Sequence, residues 1–158
     1  GFLYAGLMIC KDEPYLIEYN IRMGDPECQV LMMRLETDLL EVIECVIENR
    51  LNNLKISWTD KTCITIVLCA KGYPSKYIKN SEIKNLSSIS TDKNNQIFHA
   101  GTYENNNKIY SNGGRVLNIT SISKNLIEAR KKSLKTLSKI NWPDGFYRQD
   151  IGWRAIKK

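Results

Sequence analysis

A chain of 158 residues with 42% hydrophobic content is long enough for one ordinary domain or two small units with a real core. Its longest apolar runs, such as residues 63–70, are far too short to span a bilayer, and no basic start followed by a small-residue cleavage site marks a signal peptide. The formal charge of +6 invites a nucleic-acid partner, but lysine, asparagine and isoleucine are abundant together, as in residues 105–109, which points to compositional drift; neither nucleic acid nor membrane is expected as a partner.

Taken in order, residues 2–9 read as a buried strand with no lead-in, and Gly1 is not an initiator methionine. A fragment is therefore expected. Asp12, Glu13 and Pro14 predict a turn, after which residues 15–20 return as an antiparallel partner. Side chains alternate along a strand, so Glu18, Asn20 and Arg22 are expected on one face, with Ile17, Tyr19 and Ile21 on the other. The carboxylate of Glu18 and the amide oxygen of Asn20 are hard donors suited to one Mg²⁺ that keeps waters or phosphate oxygens in its remaining positions. Arg22, next on that face, is placed to meet an oxyanion that the metal leaves uncovered. Polar residues two apart are also common on the wet face of a half-exposed sheet, where they do no chemistry. Gly24 permits a sharp turn, Asp25 is a good N-cap and Pro26 suits the first helical position, so the stretch ends at a helix N-terminus.

Residues 26–35 predict a helix, and residues 37–51 a stronger one, with Leu39, Val42, Ile43, Val46 and Ile47 at three- and four-residue spacing and Thr37 as cap. Residues 52–55 read as a boundary, because beyond them the pattern changes from helical to short strands. The β-branched run 63–70 predicts a buried strand that ends at Lys71, Gly72, Tyr73 and Pro74. Strands follow at 77–86 and 96–102, separated by a polar loop. Residues 108–121 predict two more strands around Asn112, Gly113 and Gly114, a turn signal that also allows close approach of a ligand. Residues 126–140 form an amphipathic helix whose apolar face uses Leu126, Ile127, Leu134, Leu137 and Ile140, with Arg130, Lys131, Lys132 and Lys135 read as solvated.

Gly101 with Thr102, and Gly113, Gly114 and Arg115, are candidates for lining a cleft, since two glycine-bearing loops can present backbone N–H groups to anionic oxygens. A plain hairpin explains the same glycines. His99 lacks an identifiable orienting partner and is read as a structural hydrogen-bonder. Arg148, Asp150 and Arg154 are expected to tie the C-terminal segment down. The five cysteines, Cys10, Cys28, Cys45, Cys63 and Cys69, are odd in number and scattered without CxxC spacing. They read as reduced thiols in a cytoplasmic protein.

The run Arg22-Met23-Gly24-Asp25-Pro26-Glu27-Cys28-Gln29 resembles the signature of the glycinamide ribonucleotide synthetases (phosphoribosylamine-glycine ligases), ATP-grasp enzymes of purine synthesis, which usually carry Phe where Met23 stands. Residues 1–8, His99-Ala100-Gly101-Thr102, Asn112-Gly113-Gly114-Arg115-Val116-Leu117 and Asp150-Ile151-Gly152-Trp153-Arg154-Ala155 resemble further segments of that family, in family order. Departures stand at Lys71, where relatives have a second glycine, and at Tyr103, where they often have lysine.

The resemblance implies an α+β fold: residues 1–53 as the end of an ATP-grasp lobe of antiparallel strands and helices, then residues 54–158 as a small β-rich C-terminal domain with a terminal helix. It implies a two-step ligation in which ATP phosphorylates the carboxylate of glycine and the amine of 5-phosphoribosylamine attacks the acyl phosphate. Glu18 and Asn20 would then hold Mg²⁺ or Mn²⁺, Arg22 would stabilise the acyl phosphate and Asp25 would receive the amino group of glycine. Gly101, Thr102, Gly113, Gly114 and Arg115 would bind substrate, with Lys108 and Arg115 as candidates for the ribose phosphate. Many ATP-grasp enzymes place a further carboxylate on the earlier strand. Residues 1–9 offer none, so that ligand is expected from a missing N-terminal portion, and the fragment alone is expected to be inactive. Another ATP-grasp carboxylate-amine ligase, or a non-catalytic basic binding module, are the alternative readings.

Overall fold

The computed structural model describes residues 1–156; the last two positions of the second expected domain lie outside the described residues. The chain divides into two compact units, Gly1–Thr59 and Asp60–Lys158.

The first unit opens with an antiparallel hairpin of β1 (Tyr4–Cys10) and β2 (Glu13–Asn20). The chain reverses at Lys11 and Asp12, both with φ above +50°, the left-handed pair that suits a two-residue hairpin. The turn therefore sits just ahead of the expected position, and Pro14 lies inside β2 opposite Ile9. A bulge between Gly6 and Leu7 leaves Ile17 without a direct partner. Alternation along β2 is thus reset one residue before Glu18.

Helices α1 (Glu27–Arg34) and α2 (Leu39–Ile47) follow. The N-cap of α2 is Asp38, whose carboxylate accepts from the Leu40 N–H at 2.8 Å. Thr37, the expected cap, instead accepts from the Ser57 N–H at 2.7 Å. That bond belongs to a short return segment: Glu36 N–H donates to the Ser57 carbonyl, and Thr59 N–H to the Arg34 carbonyl, each at 3.0 Å. Helix α2 stops at Ile47, and Asn49 takes a φ of 55°, so the helix is shorter than its apolar periodicity predicts.

The second unit is built on a four-stranded antiparallel sheet in the order β5-β8-β3-β9, with β3 (Thr62–Ala70), β5 (Asn95–His99), β8 (Arg115–Ser123) and β9 (Gly145–Phe146). A second sheet has the order β4-β7-β6, with β4 (Glu82–Ile83), β6 (Thr102–Asn105) and β7 (Lys108–Ser111). Only two residues of the expected 77–86 strand pair as β4, because Asn80 and Asn85 bracket them at φ 58° and 69°, values that end an extended strand. The expected 96–102 strand breaks at Ala100 and Gly101, where the chain leaves the first sheet for the second.

Strand β3 alternates in burial, with Ile64, Ile66, Leu68 and Ala70 buried. Ile66 lies opposite Ile119 and Leu68 opposite Leu117, and this face meets helix α3 (Leu126–Leu137). Asn125 caps α3, its side chain accepting from Glu128 N–H at 2.9 Å. The buried face of α3 is Ala129, Ser133, Thr136 and Leu137, whereas Ile127 is 62% exposed. The apolar-face expectation fails at Ile127 for a physical reason. The sheet beneath offers polar partners: Ser133 Oγ donates to Ser121 Oγ at 2.8 Å, and Asn95 Nδ2 to Thr136 Oγ1 at 2.8 Å. Leu134 and Ile140 do pack against the core. A short helix, α4 (Trp153–Ile156), completes the described chain.

Candidate functional site

On β2 the site begins with a small residue across the ribbon. Gly6 pairs with Glu18, and a Cβ on Gly6 would come within 3.1 Å of Glu18 Cγ. Glycine at this strand position leaves room for the glutamate side chain; a lone strand glycine carries that signal in sequence, although Gly6 was not among the expected site residues. Two residues on, Asn20 Nδ2 donates to Glu18 Oε1 at 3.1 Å. The two side chains expected to share a face do meet. Glu18 is exposed and Asn20 half-buried, so the pair stays accessible.

Strand β2 ends at Asn20, and residues 21 and 22 lie in a bend. Arg22 is therefore placed by the bend and not by strand alternation. One of its guanidinium nitrogens, Nη1, donates to the Met23 carbonyl at 2.9 Å. The Gly24 carbonyl then accepts from Cys28 N–H at 2.9 Å, opening α1. Asp25 was expected as the N-cap and Pro26 as the first helical residue. Pro26 instead occupies the cap position, without a side-chain capping bond. The Asp25 carboxylate accepts from Gln29 Nε2 one turn on, at 3.3 Å.

In the second unit the glycine-bearing loops come together. Gly101 N–H donates to the Arg115 carbonyl at 3.0 Å, and Asn112 N–H to the Gly101 carbonyl at 2.7 Å. Gly101 and Gly113 pack backbone to backbone, and the ring of Tyr73 covers Gly114. The hairpin explanation of these glycines does not hold, because Asn112, Gly113 and Gly114 join β7 of one sheet to β8 of the other. The real hairpin is β6–β7, turning at Asn106 and Asn107 with φ 49° and 60°.

Beside this corner, His99 Nδ1 lies 2.9 Å from Thr102 Oγ1, which agrees with a structural role for the histidine. Arg115 lies across the ladder from Cys69. Burial pushes the Cys69 thiol up, and the Arg115 charge pulls it partly back. Lys108, a candidate for the ribose phosphate, pairs with Glu82 at 3.5 Å.

Arg148 clasps Asp150 with two bonds of 3.0 and 2.9 Å, holding its carboxyl below the usual carboxylate range, and Arg154 stacks over Trp153 at 5.5 Å. These contacts are local to the segment; Arg130 of α3 ties it to the rest of the unit by donating to the carbonyls of Ile151 (3.0 Å) and Gln149, and Tyr147 and Ile151 pack against the core. The reading of Arg130 as solvated, with Lys131, Lys132 and Lys135, fails here because its guanidinium is taken up by these carbonyls, and Lys132 likewise donates to the Ile122 carbonyl at 3.2 Å.

The fold is α+β, and its leading hairpin sets a carboxylate and an amide side by side before a helix start. Residues 1–28 match the family model described as phosphoribosylglycinamide synthetase, ATP-grasp (A) domain. Residues 63–154 match the model of the C domain of the same synthetase. The phosphoribosylamine–glycine ligase of Brucella melitensis is 46% identical over 158 residues, all of this chain and 37% of that protein. The chloroplastic ligase of Arabidopsis thaliana is 44% identical, with all of this chain matched to 30% of its length. The crystal structure of the Thermotoga maritima phosphoribosylamine–glycine ligase superposes with a TM-score of 0.71 at 32% identity, covering 95% of this chain and 36% of that one. The chain belongs to the phosphoribosylglycinamide synthetase family, as the motifs implied. It spans little more than a third of the length of the bacterial relatives it matches.

Proposed function

We propose that the chain supplies the end of the ATP-grasp lobe (residues 1–53) and the small C-terminal domain (residues 54–158) of a ligase that joins glycine to 5-phosphoribosylamine with consumption of ATP. The observation that carries this reading is the 3.1 Å approach of Asn20 to Glu18 at the end of β2, just ahead of the family signature. The contact is made by the Asn20 amide nitrogen; the Glu18 carboxylate and the Asn20 amide oxygen are hard donors of the kind that suits Mg²⁺ or Mn²⁺. Among the described residues no cluster of three or more His, Cys, Asp or Glu could hold a metal; Glu18 and Asn20 would provide two ligands. Glu18 and Asn20 would hold a divalent cation there, which would supply positive charge to offset the negative charge that spreads during phosphoryl transfer.

The chain's own residues act around that charge. A carboxylate and a triphosphate repel, and the Arg22 guanidinium supplies fixed positive charge for the acyl phosphate, an effect worth about 3 kcal/mol for one well-placed donor. Asp25 receives the ammonium of glycine. Gly101, Thr102, Gly113, Gly114 and Arg115 form a compact corner whose Arg115 offers positive charge to the anionic substrate, and no covalent enzyme nucleophile is needed. A reducing, cytoplasmic setting accords with five free cysteines; among the described residues no helix is long and apolar enough to cross a membrane.

The test is ADP release with ATP, Mg²⁺, glycine and freshly generated phosphoribosylamine. The chain is assayed alone, then with the part of the Brucella melitensis relative that lies outside the match, with Glu18→Gln as control. Glycine-dependent release in the mixture only, lost by at least about 10²-fold in Glu18→Gln, is expected. Turnover by the chain alone, or a formed complex that never releases ADP, would overturn the reading.

A further inference from the structure

Two sulfur atoms meet where β2 gives way to α1. Cys28, the second residue of α1, points its Sγ at Met23 Sδ across 3.3 Å. The turn between them is held at both ends by other bonds. Cys28 N–H donates to the Gly24 carbonyl at 2.9 Å, and Arg22 Nη1 donates to the Met23 carbonyl at 2.9 Å, so the backbone itself brings the two side chains together. Both are half-buried, and Met23 also lines an apolar groove of about 510 Å³ with Leu3, Leu31, Val42, Ile43 and Trp58.

What such a pair can hold follows from its donors. Thiolate and thioether are soft ligands, which select Cu⁺ over hard divalent cations. A structural zinc needs four ligands, and among the described residues no group of three or more His, Cys, Asp or Glu could hold a metal. Mg²⁺ sheds its water reluctantly and gains nothing from an apolar wall. A monovalent d¹⁰ cation, by contrast, is satisfied by two sulfurs. Reach agrees with this: with metal–sulfur bonds of about 2.3 Å, two sulfurs on one cation stand at most about 4.6 Å apart. The pair at 3.3 Å therefore has to open by no more than about 1.3 Å, which the three rotatable bonds of methionine accommodate.

We propose that Cys28 and Met23 form a binding site for one soft monovalent cation, Cu⁺. On binding, the Cys28 thiol proton leaves to water, a metal–sulfur bond forms at Sγ, and the Met23 thioether completes the coordination with no change of oxidation state. The cation then ties the bend that carries Arg22 and Asp25 to the first turn of α1. The phenylalanine usual at position 23 in the family signature offers no such donor, so the site belongs to this sequence. Thiol and thioether also pack as ordinary hydrophobes, and the experiment separates the two roles.

The chain, labelled at its methionine methyl groups, is titrated with Cu⁺ in the absence of oxygen and followed by NMR. Within the first equivalent the Met23 methyl signal is expected to move while those of Met8, Met32 and Met33 stay, and in Cys28→Ser the Met23 signal stays as well. Competition with a chromogenic Cu⁺ chelator reads affinity. Met23→Phe should bind at least tenfold more weakly, whereas Met8→Leu, two residues from the exposed Cys10, should bind as the native chain does. The native titration and Met23→Phe decide the matter even where Cys28→Ser fails to fold, and neither readout depends on ligase activity. A Met23 signal that does not move, equal movement in Cys28→Ser, or undiminished affinity of Met23→Phe would overturn the site and leave plain packing. One equivalent of Zn²⁺ that moves the Met23 signal as far as Cu⁺ does would overturn the choice of a soft monovalent cation.

Discussion

Gly101 and Gly113 touch through their backbones: a Cβ on Gly101 would lie 2.7 Å from Gly113 Cα and 2.8 Å from the Arg115 carbonyl oxygen. None of these atoms belongs to a flexible side chain, so the clash cannot be relieved locally. Gly101→Ala is expected to destabilise the second unit by about 1–3 kcal/mol, the usual range for overpacking, read as a lower urea midpoint. If these glycines served only to admit a substrate, the midpoint would stay put and only KM in the assembled ligase would rise.

Gly6 and Glu18 stand in a milder version of the same relation, with 3.1 Å between a Cβ on Gly6 and Glu18 Cγ. A methyl group there obliges the Glu18 side chain to give by a few tenths of an ångström. In the assembled enzyme Gly6→Ala should raise the Mg²⁺ concentration needed for half-maximal activity several-fold, while Glu18→Gln removes activity outright. A Mg²⁺ titration of both variants checks this, and an unchanged midpoint in Gly6→Ala would show that Glu18 has slack to spare.

The hairpin and the shared face of Glu18 and Asn20 were readable because period-two alternation is local, and the two side chains meet through the Asn20 amide nitrogen. Arg22 was misplaced on that face because nothing local reveals that β2 stops at Asn20. Thr37 and Asp38 are both competent caps, and the choice is made by Ser57, twenty residues away, which occupies the threonine hydroxyl. Asn112, Gly113 and Gly114 do mark a turn, but turn chemistry does not say which strands pair. That choice rests on long-range partners: β8 pairs with β3 and β5 while β7 pairs with β4 and β6. On α3 the hydrophobic pattern misled at Ile127 because the sheet below presents hydroxyls, which small polar residues satisfy better than aliphatic ones.

Two buried polar sites in the second unit should respond to mutation with opposite signs. Ser121 donates to Asn95 Oδ1 at 2.7 Å and receives from Ser133 at 2.8 Å, a connected network. Ser133→Ala should cost about 1 kcal/mol, the net worth of one such bond. Asn118, at 0% exposure, has no partner for either side-chain polar atom among the described residues. Burying an unpaired amide is unfavourable, so Asn118→Leu, of similar size, should raise stability by about 1 kcal/mol. Urea unfolding of the two variants side by side checks both signs.

Acid should loosen the start of α3 through Glu128. Its carboxylate accepts from Ser123 Oγ at 2.9 Å and pairs with Lys124 at 3.2 Å, while its own N–H is held by the Asn125 cap. The Ser123 hydrogen bond, with smaller help from Lys124, holds the folded pKa below the ordinary value of 4.5. A carboxylate depressed on folding contributes stability that is complete above the unfolded value and is lost as pH falls through the folded one. The window is therefore acidic, from about pH 4.5 downward, and neutral stability is untouched by it. Ser123→Ala removes the leading cause, so its Glu128 should titrate closer to 4.5. The loss of stability assigned to Glu128 between neutral pH and pH 3 should shrink accordingly. Carboxyl chemical shifts of Glu128 followed by NMR in both proteins measure the two midpoints; identical values would place the stabilising charge elsewhere than in the Ser123 hydrogen bond.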